Sequence, residues 1–230
     1  MLSAARGYQK SLRIRCDTES VSEAIVASGK KTFGANAGLA WVLILGGITG
    51  WVGAFALTLE RLHLAAAPAA KLSCDLASFI SCKSVMLSHQ AKLFGFPNPL
   101  IGLSAFMFPI AVGVAILAGA KFPRWFWNTF MVGITAGFVF VIWLAHEAIF
   151  DIGALCPYCM VAWAGMIPMF WHLLLFLTGE DIVPVPIKTI GFFEAIRGWA
   201  WVFTLVTELA LIAIIAVKFW SQWQRLFGLA

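Results

Sequence analysis

The stretch AGLAWVLILGGITGWVGAFALTL, residues 37–59, carries no charged side chain and is closed by Glu60-Arg61. At about 1.5 Å rise per residue, such a run crosses a hydrocarbon core of ~30 Å as one α-helix. Four more runs of this kind follow, at Pro99–Ala120, Phe126–Phe150, Cys156–Thr178 and Trp199–Lys218. Their apolarity is continuous rather than alternating, and backbone polar groups cannot stay unpaired in lipid, so helices fit these runs and a barrel does not. The expected fold class is an all-α integral membrane protein, a four-helix transmembrane bundle with an additional fifth transmembrane helix.

Composition agrees. Of 230 residues, 61% are hydrophobic and 12% charged, with a mean hydropathy of +0.90, against about 25% charged residues in soluble domains. The net charge of +5 is scattered over segments flanking the spans, as insertion requires, and so does not point to nucleic acid. With the N-terminus inside, ten Lys and Arg fall on inner segments and six on outer ones, the bias expected of cytoplasmic loops. Met1–Gly34 is polar and basic, unlike a leader peptide, so the first span is expected to act as signal and anchor. The protein is therefore expected in the cell membrane as a multi-pass protein, N-terminus cytoplasmic and surrounded by membrane lipid.

The chain divides into a cytosolic arm (1–36), a four-helix core (37–178) with an outer loop (60–98), a cytosolic connection (179–198), and a fifth helix with a short outer tail (199–230). Asp17–Ser28 reads as plain tail in preference to a short helix. Pro97-Asn98-Pro99 opens the second span, Pro109 is expected to kink it, Lys121–Arg124 forms an inner turn and Asp151–Leu155 an outer one. The outer loop is expected to offer a polar docking surface without large apolar anchors.

Five cysteines occur, at 16, 74, 82, 156 and 159. Cys16 lies in the arm and reads as a reduced thiol. The other four fall on the outer side, where thiols are oxidised, redox-active or metal-bound. Cys156-Pro157-Tyr158-Cys159 opens the fourth span, with Pro157 at the first helical position, and the helix N-terminus favours a thiolate there. Cys159, one turn deeper, lies nearer the hydrocarbon. Haem attachment would need His where Met160 stands. Cys74 and Cys82 have an unusual spacing for a zinc knuckle, so no metal site is expected; a pair of structural disulfides is the bland alternative. His146 and Glu147 end the third span, either as interfacial residues or as a relay for protons.

The succession of Cys74-Asp75, a C-x7-C loop, Ser88, Pro97-Asn98-Pro99 and a C-x-x-C opening the fourth span resembles the vitamin K epoxide reductase family over roughly 37–178. That resemblance implies a four-helix bundle around a quinone (menaquinone or ubiquinone). Cys74 and Cys82 would be the shuttle pair, Cys156 and Cys159 the active-site pair, and Ser88 and Asn98 helpers at the quinone. On residue chemistry alone, Asn98 reads as a turn residue and Ser88 as a loop cap. Some animal relatives place Tyr where this chain has Trp163, which can stack on a quinone but is no phenol, so epoxide chemistry is not expected. Many bacterial relatives carry a fused thioredoxin-like domain after the fifth span, and its absence here implies a separate thioredoxin-fold (DsbA-like) thiol partner. The expected function is quinone-dependent thiol oxidation supporting disulfide formation in exported proteins. The alternatives are a vitamin K quinone or epoxide reductase and a non-catalytic membrane scaffold stapled by two disulfides.

Overall fold

The computed structural model describes residues 32–179 and 197–228. Cys16, Asp17–Ser28 and nearly all of the 179–198 connection lie outside them. In chain order the elements are β1 (Thr32–Phe33), α1 (Ala37–Ala66), α2 (Cys82–Leu87), a 3-10 turn (His89–Lys92), α3 (Pro99–Ala105), α4 (Met107–Leu117) and β2 (Phe122–Pro123). There follow α5 (Arg124–His146), a π-turn (Glu147–Ile152), α6 (Pro157–Gly179), a 3-10 turn (Arg197–Trp199), α7 (Ala200–Lys218) and α8 (Trp220–Leu226). All five apolar runs form helices long and apolar enough to cross a membrane, so the protein is an all-α membrane protein.

Asn36 caps α1, its side chain accepting the Leu39 N–H at 2.9 Å. The helix continues past Glu60 and Arg61 to Ala66. Charge ended the apolar run but not the helix, because long charged side chains at a helix end reach water. In the second span Pro109 has no N–H to offer the Ala105 carbonyl, so the helix breaks at Phe106 between α3 and α4. The Phe106 ring fills the space that a Cβ on Gly50 would occupy. One turn earlier on α1, a Cβ on Gly46 would stand 2.6 Å from the Gly165 carbonyl oxygen. Backbones of α1 and α6 therefore touch, and small residues at such contacts substitute for the hydrophobic drive that lipid removes.

β1 and β2 pair antiparallel, Thr32 with Pro123 and Phe33 with Phe122, tying the end of the arm to the turn between the second and third spans. Trp127, wholly buried, donates its indole N–H to the Phe33 carbonyl at 3.4 Å. Opposite this end, the loop between α1 and α3 meets the segment between α5 and α6. The segment after Lys218 holds α8, and with α7 it reaches back to that loop. Phe219 and Trp223 pack on Phe79 with ring centroids at 5.6 and 4.9 Å. Span five is also fastened to α6 by a hydrogen bond from the Trp171 indole to the Thr207 hydroxyl at 3.0 Å. Nor is the loop surface polar throughout. Leu76, Phe94 and Phe96 are exposed on it, so apolar contacts with a partner or with headgroups are open to it.

Candidate active site

Asp75 organises the loop that carries the first cysteine pair. Its carboxylate accepts the Leu72 N–H at 3.2 Å, the Ser81 hydroxyl at 2.8 Å and the Lys83 N–H at 3.2 Å. Burial pushes this acid up, but the Ser81 hydroxyl, the Lys83 and Leu72 N–H groups and the Lys83 charge outweigh it and hold the carboxyl below its ordinary value. Residues 72–83 are thus drawn into a closed turn in which Cys74 and Cys82 form a disulfide across a Cα separation of 5.7 Å.

The sign of the Asp75 shift carries a prediction. A carboxyl lowered in the folded state contributes stability that is present above its unfolded value, about 3.9, and lost as pH falls through the folded one. Asp75→Asn should raise the rate at which a phosphine reduces the Cys74–Cys82 bond several-fold at neutral pH. In the unsubstituted protein a comparable rise should appear only in acid, below the ordinary carboxylate range. Equal rates at neutral pH would mean that Asp75 does not hold the turn.

A short parallel pairing then delivers the loop to α6. The Leu155 N–H donates to the Phe79 carbonyl at 2.8 Å, and the Ser81 N–H donates to the Leu155 carbonyl at 2.9 Å. Each of the two chains continues by one residue into a cysteine, and the Cys82 and Cys156 sulfurs stand 3.3 Å apart. Cys82 has no hydrogen while it is in the disulfide, so any proton in this contact belongs to Cys156. Ahead of Pro157, Cys156 sits at the open end of α6. Its thiol is held below the ordinary cysteine value, first by a hydrogen bond from the Cys159 side chain; burial works against this, and the Cys159 and Tyr158 N–H groups add to it.

Cys82, Cys156 and Cys74 are buried at 0%, 1% and 4% exposure, whereas Cys159 is half-buried and lines a cavity of about 160 Å³. A cavity of about 150 Å³ takes one six-membered aromatic ring. Trp163, Phe106, Phe140 and Asn98 share its wall with Cys159. Asn98 is buried and ties the loop end together, donating an amide hydrogen to the Gln90 carbonyl at 2.7 Å and accepting the Leu93 N–H at 3.3 Å. Its second amide hydrogen has no acceptor among the described residues. Ser88 also lines the cavity, but its hydroxyl donates to the Val85 carbonyl at 2.7 Å and closes α2, which leaves it an acceptor only. An apolar cavity of one-ring size, with a flat indole, one amide donor and a sulfur at its edge, fits a quinone headgroup.

The structure separates His146 from Glu147. His146 is 60% exposed, while Glu147, 16% exposed, lines the cavity and accepts a hydrogen bond from Gln90 at 2.9 Å. Sequence reasoning missed Gln90, Phe106 and Phe140, since aromatic and polar residues in such numbers carry no positional signal. It also missed that the Tyr158 hydroxyl lies 3.0 Å from the Ser73 hydroxyl, which in turn bonds to Glu60. This chain of contacts closes over the loop beside Cys74.

The fold and site define a membrane protein whose helical bundle sets two cysteine pairs in line between a loop and an apolar cavity. The family model of the vitamin K epoxide reductase family matches residues 41–174, and the chain belongs to that family. Membership makes it a membrane oxidoreductase of the quinone-linked thiol kind. No curated protein matches the chain.

Proposed function

We propose that the protein is a quinone-dependent thiol oxidase that reoxidises a thioredoxin-fold (DsbA-like) dithiol protein and so supports disulfide formation in exported proteins. The observation that carries this reading is the succession Cys74, Cys82, Cys156, Cys159 and cavity, with the Cys82–Cys156 contact of 3.3 Å at its centre. A partner thiolate attacks Cys74, the less buried of the loop pair, and Cys82 leaves as a thiolate. The partner's second thiol then releases Cys74 and completes its own disulfide. Cys82 attacks Cys156 of an oxidised Cys156–Cys159 pair, and Cys159 leaves. Cys74 next attacks Cys82, restoring the loop disulfide and freeing Cys156. The product of these steps is the state seen here, an oxidised loop pair above a reduced helical pair.

Cys159, Trp163 and Asn98 would hold the quinone, menaquinone or ubiquinone, which when bound supplies a two-electron, two-proton acceptor. Trp163 offers its face for stacking, and the second amide hydrogen of Asn98 is available to a carbonyl oxygen on which negative charge develops. Ser88 shapes the wall. The inner-outer bias of Lys and Arg supports an N-terminus in the cytoplasm and a cysteine end outside. Trp163 has no phenol to give a proton, which argues against vitamin K epoxide as the substrate. Purified protein in lipid, supplied with a reduced thioredoxin-fold dithiol and either ubiquinone or menaquinone, should form quinol and leave the epoxide of vitamin K unchanged. Failure to form quinol from either would overturn the reading, and epoxide turnover would replace it with the reductase.

A further inference from the structure

Dithiol oxidation releases two protons and reduction of a quinone to quinol takes up two, so a cavity that hosts the second half needs a route for protons. Among the described side chains lining the cavity, only Cys159 and Glu147 carry an ionisable group. Cys159 is occupied with the electron pair. Glu147 opens the π-turn at the end of α5, a helix irregularity that recurs at functional sites. Its Oε2 accepts the side-chain N–H of Gln90, and the main-chain carbonyl of Gln90 accepts the Asn98 amide. Oε1 is left toward His146, whose Nδ1 stands 3.9 Å away and whose side chain is mostly exposed. A carboxyl in the cavity wall thus stands beside a mostly exposed imidazole, at the end of the bundle that holds the cysteines.

We propose that Glu147 is the proton donor of the cavity, loaded at Oε1 from water on the thiol side through His146 and fixed in place by Gln90. The inference rests on the quinone reading above. Each proton that Glu147 gives up is replaced by one from His146, so two protons entered match the two released by the dithiol, and the carboxyl is unchanged after each cycle. The groups around it are His146 and Asp151 of its own turn, all three having donor atoms within 4.8 Å of one another. The 3-10 turn bearing Gln90 adds His89 and Lys92, α2 adds Lys83, α6 adds Cys159, and Lys218 at the end of α7 lies over the Phe150 ring of the turn at 5.0 Å.

Glu147→Gln retains an oxygen for the Gln90 bond but carries no proton. In lipid vesicles it should bind a quinone analogue as the unsubstituted protein does, yet form quinol about 100-fold more slowly, within the range of general acid catalysis. Difference infrared spectra should show a deuterium-sensitive carboxyl band on dithiol addition that this variant lacks. Net proton release outside vesicles with the cysteine end outward should be near zero per quinol formed. Quinol formation at the unsubstituted rate at every pH, a persistent band, a parallel loss of quinone binding, or release of about two protons per quinol would each overturn the proposal. If the unsubstituted protein forms no quinol, it is the function reading that has failed, and this inference falls with it.

Discussion

Replacing Cys159 by serine is expected to lower quinone reduction by about 10³-fold or more and to leave Cys82 covalently joined to Cys156. Cys156, favoured as a thiolate at the start of α6, lies within sulfur contact of Cys82, so it attacks Cys82 and expels Cys74. This is the reverse of the exchange by which Cys74 frees Cys156 in the relay, and in the intact protein Cys159 can clear the mixed bond from the other side by attacking Cys156 and re-forming the helical disulfide that the relay consumes. A serine hydroxyl can still donate a hydrogen bond to Cys156 but cannot resolve a disulfide, and the intermediate accumulates. Acid quenching, alkylation and peptide mapping should recover the Cys82–Cys156 bond together with a free Cys74. Recovery of Cys74–Cys82 alone would show that electrons do not pass between these two sulfurs.

Cys82→Ala is expected to have the second large effect, a partner protein held on Cys74 as a mixed disulfide, formed when the free Cys74 thiolate attacks the disulfide of the oxidised partner and expels its second sulfur as a thiolate. Cys74 lies next to Ser73 and the Tyr158 contact at the edge of the loop, whereas Cys82 is enclosed against Leu155 and Cys156. Cys74 is therefore the less enclosed sulfur of the pair and the one expected to meet a second protein. Once Cys82 is gone, nothing within the loop displaces that partner. Non-reducing gels from cells producing the variant should show an adduct that reductant dissolves, and Cys74→Ala should show none. An adduct with Cys74→Ala only would reverse the two roles, and no adduct with either would end the relay reading for this chain.

The spans and the helix start at Cys156 were legible in the sequence for local reasons. Continuous apolarity over about twenty residues admits one structure in lipid, and a proline at the first helical position satisfies its own missing donor. Pro109 was equally legible as a kink, because the lost N–H is a property of the residue. Its consequence was not: the break turns Phe106 into the space above Gly50 and into the cavity wall, which depends on where α1 lies. Likewise the tail after Lys218 gave no sign of α8 or of its grip on Phe79, since Trp and Phe are as common at lipid interfaces as at contacts.

What the sequence determined by itself was the solvent and the five apolar spans, which follow from side chains taken within one segment. What only the tertiary structure decided was the order of the four cysteines. Cys82 and Cys156 are 74 positions apart in sequence and meet because two short backbone segments, 79–81 and 155, exchange hydrogen bonds. Backbone groups pair irrespective of side chain, so such a pairing leaves no mark in composition or spacing. The same holds for Glu147, adjacent to His146 in the chain yet turned to the cavity while its neighbour meets water: a helix sends successive side chains in different directions, and which of them is inside depends on what packs against it.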